Sequence, residues 1–351
     1  MAAIHDLARE LQLSISTVSR ALAGKPNVNP ATRARVLAAA RQAGYAPNRS
    51  GRSLRRGATN IVNFVLSPHP QLQFEQPFFL PLLGGVQEEL LVHGLDLVVT
   101  LGRAGRELEQ IRQIVETRAA DAVLLAWTRR HDERIEYLAN IGFPFATLGR
   151  SLSGGAFPSL DIDFATIGKR ATGRLLRGGH RRVALVNTAH ELMFSEYLEA
   201  GYRAALAQDG IPADPALIRW DPMSDPATDL LMRDLLTLTP APTAFLLCGE
   251  TVVAGAYRSF AARGIRPGRD VAAIVMVDSP LCTYLQPPLT AFQPPLRELG
   301  MRLAQILLAA MPAAAGADGP CTLVEVQPIP LVERGSDGPV ELRLRLRREG
   351  A

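Results

Sequence analysis

Three short helical segments follow one another closely at the start of the chain. Apolar residues recur at helical spacing in the first segment, at Ile4, Leu7, Ala8 and Leu11. Ser14 is a good N-cap for a second helix, because its hydroxyl can accept an orphan N–H of the first turn. Asn29 followed by Pro30 predicts the start of a third helix, which Gly44 ends as a left-handed cap. This arrangement permits two folds: a helix-turn-helix, which places its second helix in the major groove of DNA, and a three-helix bundle without a ligand.

The periodicity also predicts which residues of the second and third helices are buried. The second helix is expected to bury Val18, Ala21 and Leu22. Its outward or N-terminal positions hold Ile15, Ser16, Ser19 and Arg20. The third helix is expected to bury Val36, Leu37 and Ala40.

Charge favours the DNA-binding alternative. Residues 1–58 hold ten basic residues against two acidic ones, Asp6 and Glu10, which gives this segment a charge of +8. The whole chain is +4, so residues 59–351 carry −4. A basic segment on a mildly acidic body is typical of a module that binds phosphates. The ten basic residues are Arg9, Arg20, Lys25, Arg33, Arg35, Arg41, Arg49, Arg52, Arg55 and Arg56.

A series of short motifs runs through the chain in a fixed order. In the first 56 residues they are Ser16-Thr17-Val18-Ser19-Arg20-Ala21-Leu22, Gly24-Lys25-Pro26, Asn29-x-x-Thr32-Arg33, Gly44-Tyr45-x-Pro47-Asn48 and Arg52-Ser53-Leu54-Arg55. Further on they are Pro77-Phe78-Phe79, Gly179-His180-Arg181-Arg182, Gly201-Tyr202-Arg203 and Pro287-Pro288-Leu289-Thr290. In these motifs and their spacing the chain resembles the LacI family of bacterial transcription regulators over nearly its whole length.

The resemblance implies which residues contact DNA. Ile15 and Ser16 fall where family members read bases in the major groove, with Arg20 beside them. Leu54 falls where a leucine of the hinge helix inserts into the minor groove and bends the DNA. The predicted DNA-binding set is Ser14, Ile15, Ser16, Thr17, Ser19, Arg20, Asn27, Asn48, Arg52, Leu54 and Arg55.

Two residues depart from the family pattern. Ala3 stands where a Thr or Ser usually caps the first helix, and Gly51 lies inside the hinge segment. Glycine costs roughly 1 kcal/mol against alanine in a helix, so an isolated hinge helix should be unfolded. The resemblance implies a homodimer on a palindromic operator, in which paired hinge segments fold against each other and the DNA.

After residue 58 the pattern changes to short apolar runs that alternate with amphipathic helices. One set of predicted strands is Ile61–Leu66, Leu95–Leu101, Ala122–Leu125 and Phe143–Leu148, with helices near Leu80–His93, Leu108–Thr117 and His131–Asn140. A second set of strands is Val183–Val186, Leu217–Trp220, Ala244–Leu247 and Ala273–Val277, with helices at Leu192–Asp209, Pro226–Leu236 and Val252–Arg263. Such alternation predicts two lobes of the α/β class, each with a parallel sheet covered on both faces.

A chain of 351 residues is too long for one ordinary domain. We expect a helix-turn-helix domain at 1–47, a hinge at 48–58, an effector-binding and dimerisation domain at 59–340, and a tail at 341–351. The resemblance implies a two-lobed fold like that of periplasmic binding proteins, with crossings near 161–165, 289–294 and 322–328. Lobe one is then about 59–161 and 291–324, and lobe two about 164–289 and 325–340. In the tail, Val340, Leu342, Leu344 and Leu346 alternate with charged residues, which predicts either an added edge strand or a second DNA or partner contact.

Ligands of open α/β sheets bind beyond the carboxyl ends of the strands, so the cleft between the lobes is the expected effector site. Phe79 and Asp163 match an aromatic residue at the cleft and a crossover aspartate of the family. Glu196 stands where the family usually has an Arg that anchors ligand oxygens. Phe164, Gly249-Glu250 and Val277-Asp278 also replace more polar family residues. The candidate effector-binding residues are Phe79, Trp127, Arg150, Asp163, Glu196, Glu250 and Asp278.

The charge of these residues bears on the effector. A carboxylate at an Arg position disfavours an anionic ligand such as a sugar phosphate. A neutral sugar or glycoside is the expected effector. Trp127 either stacks on a sugar ring or packs at the edge of the cleft, and Arg150 is placed to act as a replacement cation.

Other functional classes leave weaker traces in the sequence. We find no nucleophile elbow, no P-loop, no dinucleotide-binding Gly motif and no His/Cys metal cluster, so we expect neither an enzyme nor a cofactor. No apolar run approaches the roughly 18 residues of a membrane span, and no signal peptide precedes the first helix. Three widely spaced cysteines fit a reduced cytoplasm. The alternative is a solute-binding protein or an enzyme of the periplasmic-binding-protein fold with a vestigial DNA-binding segment.

Overall fold

The computed structural model describes residues 4–22, 27–45, 58–66, 76–103, 105–153, 155–188, 191–220, 225–311 and 323–339. Its contacts divide the chain into two units, Met1–Thr59 and Asn60–Ala351. The predicted hinge up to residue 57, the tail at 341–351 and Cys321 lie outside the described residues. So do four of the predicted DNA-binding residues, Asn48, Arg52, Leu54 and Arg55.

The N-terminal unit consists of helices α1 (Ile4–Glu10), α2 (Ile15–Leu22) and α3 (Pro30–Gln42). The predicted caps are confirmed. Ser14 Oγ accepts from the amide of Thr17 at 3.1 Å, Asn29 Oδ1 accepts from the amide of Ala31 at 2.9 Å, and Gly44 has a φ of +59°. The left-handed conformation of Gly44 lets the chain turn away after α3 without a steric clash.

A small core joins these three helices. It consists of Leu7, Ala8, Val18, Ala21, Val28, Val36, Ala39 and Ala40. The prediction that Leu37 packs inward is wrong, because 37% of this residue is exposed. Successive helical residues are about 100° apart, so a face centred on Val36, Ala39 and Ala40 leaves Leu37 at its margin.

The second unit begins with alternating strands and helices. They are β1 (Ile61–Leu66), α4 (Gln76–Val92), β2 (Asp96–Leu101), α5 (Glu107–Glu116), β3 (Ala122–Leu125), α6 (Glu133–Asn140), β4 (Phe145–Leu148) and β5 (Ser159–Ile162). The alternation continues with α7 (Phe164–Arg177), β6 (Val183–Asn187), α8 (Met193–Gln208), β7 (Ile218–Trp220), α9 (Asp225–Thr237), β8 (Ala244–Leu247), α10 (Glu250–Ala261), β9 (Ala272–Val275), α11 (Pro280–Tyr284) and β10 (Thr290–Phe292). The last elements are α12 (Leu296–Ala310), β11 (Val324–Gln327) and β12 (Leu331–Val332).

These strands form two six-stranded sheets, which confirms the predicted two-lobed α/β architecture. The first sheet has the order β11-β5-β4-β3-β1-β2, and the second has the order β12-β10-β9-β8-β6-β7. All neighbouring strands are parallel except β10 and β12. The central strands are buried over their whole length, as in Ala122–Leu125 and Ala244–Leu247, which explains why they read as continuous apolar runs.

The chain passes between the two sheets three times. It crosses after β5, after β10 and after β11. Strand β10 pairs with β9, so the second lobe extends to Phe292, and β11 pairs with β5, so the first lobe extends to Gln327. Both positions lie three residues beyond the expected lobe limits, which were about 289 for the second lobe and about 324 for the first, because backbone pairing rather than apolar pattern decides where these short strands end.

In each of two helix pairs, the backbones of the two helices approach each other very closely. Helix α7 approaches α8 at Gly168 and Gly201, and α4 approaches α12 at Gly85 and Gly300. A Cβ atom at Gly201 would lie 2.0 Å from the carbonyl oxygen of Ala165, and one at Gly168 would lie 2.2 Å from that of Leu198. Only glycine permits this approach, which fixes the position of α8 and of the loop that precedes it.

Candidate functional site

A cleft between the two lobes collects residues that follow the carboxyl ends of five strands. Its cavity volume is about 120 Å³. The lining comes from the ends of β3, β4, β5, β8 and β9 and from the first turns of α4 and α8. The lining residues are Pro77, Phe78, Phe79, Ala126, Trp127, Thr128, Leu148, Gly149, Asp161, Ile162, Phe164, Phe194, Gly249, Glu250, Met276, Val277, Asp278 and Ser279. Of the candidate effector residues, the structure brings together Phe79, Trp127, Glu250 and Asp278 here.

Aromatic side chains line both lobes of the cleft. In the first lobe the rings of Phe79 and Trp127 meet edge to face, with centroids 5.1 Å apart and an interplanar angle of 84°. In the second lobe the rings of Phe164 and Phe194 lie 5.3 Å apart. The cleft therefore offers apolar ring surfaces on two sides. Trp127 belongs to the first lobe, and Phe164 and Phe194 belong to the second.

Trp127 is held in an unusual backbone conformation. Its φ is +51°, which is rare for a bulky side chain and persists only where surrounding contacts fix it. Arg134 supplies such contacts, since its Nη2 donates to the carbonyl oxygen of Trp127 at 3.1 Å and to that of Ala126 at 3.3 Å. Asp132 in turn holds Arg134 through bonds of 2.8 and 2.6 Å.

The Asp132–Arg134 pair is fully buried, with 0% and 1% of the two residues exposed. Burial alone would raise the pKa of Asp132, but the hydrogen bonds and charge of Arg134 hold this pKa below its ordinary value. Sequence reasoning missed this pair, which lies within helix α6 and its N-cap rather than in the cleft. The signal that could have found it was an Asp placed two residues before an Arg at a predicted helix start.

Asp278 lies in the cleft but carries its own counterion. Arg334 Nη1 and Nη2 donate to its two carboxylate oxygens at 2.9 and 2.7 Å, a bidentate pair in which both side chains are largely buried. Arg334 Nη1 also donates to the carbonyl oxygen of Leu289 at 2.6 Å. Because Arg334 is 56 positions further along the chain, no local sequence signal indicated this partner.

Arg150 is tied to a cleft residue rather than free within the cleft. Its Nε donates to Asp161 Oδ2 at 2.7 Å, and its guanidinium carbon lies 3.9 Å from the ring centroid of Tyr197. Burial raises the pKa of the Asp161 carboxyl above its ordinary value, although the hydrogen bond and charge of Arg150 act in the opposite direction. An effector that used Arg150 as a replacement cation would therefore compete with Asp161 for its guanidinium. The sequence did not indicate this partner, because Asp161 lies within a predicted crossing between the lobes.

Glu250 opens helix α10 at the carboxyl end of β8. Gly249 before it has a φ of +88°, which lets the chain turn sharply from strand to helix. Burial raises the pKa of the Glu250 carboxyl, and a hydrogen bond from Ser279 partly offsets this effect. Glu250 is therefore a half-buried carboxylate that accepts a hydrogen bond from a neighbouring cleft residue.

Three candidate effector residues, Arg150, Asp163 and Glu196, do not line the cleft. Asp163 caps helix α7, because its carboxylate accepts from the amide and the hydroxyl of Thr166 at 2.9 and 2.6 Å. An Asp just before a predicted helix is a cap signal that the sequence already contained. Glu196 lies in an adjoining groove with Trp220, where its Oε2 accepts from Arg130 Nη1 at 2.5 Å. Its place on α8 turns it away from the cleft and toward the opposite lobe.

Among the described residues that line the cleft, no Lys or Arg is present. The carboxylates of Asp161 and Asp278 are each paired with an arginine behind them, and Glu250 is not paired with a cation in this way. The cleft thus combines aromatic surfaces with carboxylate acceptors and lacks a lining cation within the described part of the chain.

The predicted DNA-reading residues lie on α2 and around it. Ser14, Ile15, Ser16, Arg20 and Asn27 are exposed, whereas Thr17 and Ser19 are half-buried. The hydroxyl of Ser14 lies 2.8 Å from those of Ser16 and Thr17, and Arg20 Nε donates to the Ser16 carbonyl at 3.2 Å. The helix therefore carries exposed hydroxyls at its start and one exposed cation in its last turn. Base contacts by these residues stay a prediction.

A helical DNA-reading unit followed by a two-lobed ligand-binding unit defines the class of DNA-binding transcription regulators. Residues 3–48 match the model of the bacterial regulatory proteins of the lacI family, and residues 172–336 match that of the periplasmic binding protein-like domain. The HTH-type transcriptional regulator AglR of Rhizobium meliloti (strain 1021) is 35% identical over 312 residues, which are 87% of this chain and 86% of that relative. The chain belongs to the LacI family and is a transcriptional regulator.

Two further comparisons agree with this assignment. The HTH-type transcriptional regulator CelR of Thermobifida fusca is 32% identical over 294 residues, covering 83% of this chain and 86% of CelR. A solved complex of transcriptional regulator CelR with cellobiose has a TM-score of 0.73 and 29% identity, and the match covers 96% of this chain and 100% of that one. Within the described part of the chain, no helix has the length and apolar character needed to span a membrane.

Proposed function

We propose that this regulator is a repressor of sugar uptake or catabolism genes that binds a palindromic operator as a homodimer. Its effector is a neutral sugar or glycoside bound in the cleft between the lobes. The observation that carries the proposal is the composition of the cleft, in which aromatic rings and carboxylates occur together without a lining cation among the described residues.

The chemistry of the cleft suits a polyhydroxylated, uncharged ring. Sugar hydroxyls donate readily to carboxylates, and a charge-assisted hydrogen bond of this kind is stronger than one between neutral groups. The apolar face of a sugar ring packs against aromatic side chains such as Trp127 and Phe164. A phosphate would meet the carboxylate of Glu250 in a partly dry site that has no lining cation among the described residues, and uncompensated burial of charge in such a site is costly.

The complex of CelR with cellobiose supports a sugar as the effector class. That relative has a similar fold and 29% identity, and its ligand is a neutral disaccharide. We infer the same class of ligand for this chain.

An apolar surface on the first lobe supports the homodimer. Helix α4 and strand β2, which ends the first sheet, expose Leu80, Leu91, Val92, Val98, Val99 and Leu101. Clustered exposed apolar side chains on an edge strand and its neighbouring helix mark an interaction surface. A second copy of the chain, packed through the same surface, is the occupant that a two-fold symmetric operator requires.

The proposed control couples the cleft to the DNA through the hinge. In the operator-bound state the two hinge segments pair, Leu54 of each chain enters the minor groove, and the DNA bends. An effector shifts this equilibrium only if it binds the two arrangements of the lobes unequally, typically with a coupling of about 1–3 kcal/mol.

A binding screen tests the effector class. Neutral sugars, glycosides, sugar phosphates and purines would be titrated while tryptophan fluorescence and thermal unfolding are followed, and active compounds would then be tested for release of operator DNA. We expect neutral sugars to bind. Asp278→Asn should weaken that binding, whereas Asp229→Asn, which alters a surface Asp–Arg pair of the same lobe, should not.

A tight complex with a sugar phosphate would contradict the proposal, above all if Arg150→Ala abolished it and Asp278→Asn left it unchanged. Retention of DNA at low salt that does not weaken as salt rises would contradict the DNA-binding part. The effector class and the DNA-binding function can therefore be refuted independently of each other.

A further inference from the structure

The two lobes touch directly at one rim of the cleft. The amide of Met193, at the start of α8, donates to the carbonyl oxygen of Thr128 in the first lobe at 3.0 Å. Next to this bond, Arg129 and Leu192 form an isolated antiparallel β-bridge. The loop after β3 is thus joined to the loop before α8 by backbone contacts between the lobes.

Two side-chain contacts reinforce the same rim. Arg130 of the first lobe donates to Glu196 of the second at 2.5 Å. The Arg150 guanidinium of the first lobe lies over the ring of Tyr197 of the second, 3.9 Å from its centroid, which is cation–π geometry. All these contacts are made between groups of the chain itself, so they are available before any effector binds.

Glu196 is the residue of this rim that departs from the family pattern. The family resemblance places at residue 196 an arginine that anchors ligand oxygens, but here the residue is a carboxylate that bonds the opposite lobe. The bond between Glu196 and Arg130 is completed by the protein alone.

We propose that Arg130, Arg150, Glu196 and Tyr197 form an interlobe clasp, which closes the cleft without an effector and sets how readily it opens. The backbone contacts at Thr128 and Met193 fix which residues of the two loops face each other. The charged side chains make the contacts whose strength varies with conditions such as salt. Because 53% of the Arg130 side chain and 32% of the Glu196 side chain are exposed, we expect this ion pair to be weak and to weaken further as salt rises.

The clasp is connected to the cleft through Arg150. The same guanidinium that lies on Tyr197 donates to Asp161, whose carboxylate lines the cleft. A ligand that bonds Asp161 therefore acts on a residue that also joins the lobes. This consequence for effector affinity rests on the proposed function, whereas the clasp itself rests on the contacts between the lobes alone.

The magnitude is that of a partly exposed ion pair. Such pairs contribute about 0.2–1 kcal/mol, so loss of the Arg130–Glu196 bond should raise the ratio of open to closed protein by up to about fivefold. Reversal of one charge adds repulsion between like charges and should open the cleft further. Raising salt from about 0.05 to 0.5 M screens an exposed pair and should act in the same direction.

Distances between spin labels measure this directly in the full chain. Cysteines at the exposed positions Asn140 in the first lobe and Ala207 in the second would carry the labels, with Cys321→Ser. Cys248 and Cys282 are buried, which protects them from labelling. The distance distribution would be recorded for the parent, for Arg130→Glu, for Glu196→Arg and for the double reversal.

We expect each single reversal to shift the population toward longer distances, and the double reversal to restore the parent distribution. A matched control is available on the same helix, because Arg203 and Glu199 form an ion pair at 2.7 Å that stays within the second lobe. Its double reversal and both of its single reversals should leave the distances unchanged.

Thermal unfolding of each variant identifies any loss of the fold. Identical distributions in the parent and in both single reversals would overturn the clasp, and so would an opening that the double reversal fails to undo. No effector or operator is needed in this measurement. A failed sugar screen would therefore leave the clasp standing, and a failed clasp would leave the proposed function standing.

Discussion

Replacement of Asp132 by alanine removes a carboxylate that pairs with the buried side chain of Arg134. Asp132 accepts from Arg134 Nε and Nη2 at 2.8 and 2.6 Å, and from the backbone amides of Arg129 and Arg134, each at 3.1 Å. Removing one partner of a fully buried ion pair costs about 3–5 kcal/mol, because the remaining charge loses this counterion while it stays buried. We expect Asp132→Ala to destabilise the effector-binding unit by this amount.

The change should be visible in the thermal midpoint and in the cleft. At roughly 2–3 °C per kcal/mol for a unit of this size, the midpoint falls by about 6–15 °C. Arg134 also holds the carbonyl oxygens of Ala126 and Trp127, so the variant should lose affinity for cleft ligands at temperatures where it is still folded. Urea unfolding followed by circular dichroism measures the first effect, and fluorescence titration the second.

The pH dependence has a defined sign. The pKa of Asp132 is lowered in the folded protein, so its stabilisation is present above the unfolded pKa of about 3.9 and is lost as pH falls through the folded value. The difference between parent and Asp132→Ala should therefore be full at neutral pH and shrink in acid.

A double-mutant cycle decides whether buried charge is the cause. If it is, Asp132→Ala combined with Arg134→Met should be more stable than Asp132→Ala alone, because the second change removes the buried charge that has lost its Asp132 counterion. Additive losses in the double variant, or a loss below about 1 kcal/mol in the single variant, would refute the reasoning.

Three other predictions concern packing, pH and DNA reading. Gly168→Ala should destabilise by about 1–3 kcal/mol in urea unfolding, whereas Gly173→Ala on the same helix should stabilise by up to about 1 kcal/mol, because its Cβ meets only the flexible Arg177 side chain at 3.4 Å. Glu250→Gln should raise the unfolding midpoint near pH 8 and not near pH 4, because burial raises the pKa of Glu250 and makes its charged form unfavourable; an equal gain at both pH values would exclude this cause. Arg20→Ala should cost about 1–3 kcal/mol on the operator and far less on random DNA in a binding titration, and equal losses would show a phosphate contact only.

The sheets were predictable because their strands are buried on both faces. The run Ala244–Leu247 is apolar without interruption, and Ile61–Leu66 is apolar except for the buried Asn63; the structure gives both the predicted bounds. Helix starts were harder to locate. Helix α4 begins at Gln76, four residues before the predicted Leu80.

The cleft was predictable only in part, for reasons of distance along the chain. Trp127, Glu250 and Asp278 follow strand ends, and a parallel sheet brings strand ends to one edge. The partners that set their charge come from remote segments, as Arg334 does for Asp278. Glu196 shows the same limit, since only the tertiary arrangement of the lobes decides whether a residue near the start of α8 faces the cleft or Arg130.

The apolar surface on α4 and β2 has a consequence for the protein at low abundance. A monomer leaves Val92 and Leu101 in water and an edge strand with unpaired backbone groups, so dilution both weakens the fold and exposes a template for wrong pairing. A cell that holds only a few copies of such a regulator would keep most of them assembled only if the association is tight. In the proposed homodimer, the fraction of chains that are assembled and the stability of each chain then depend on the same surface.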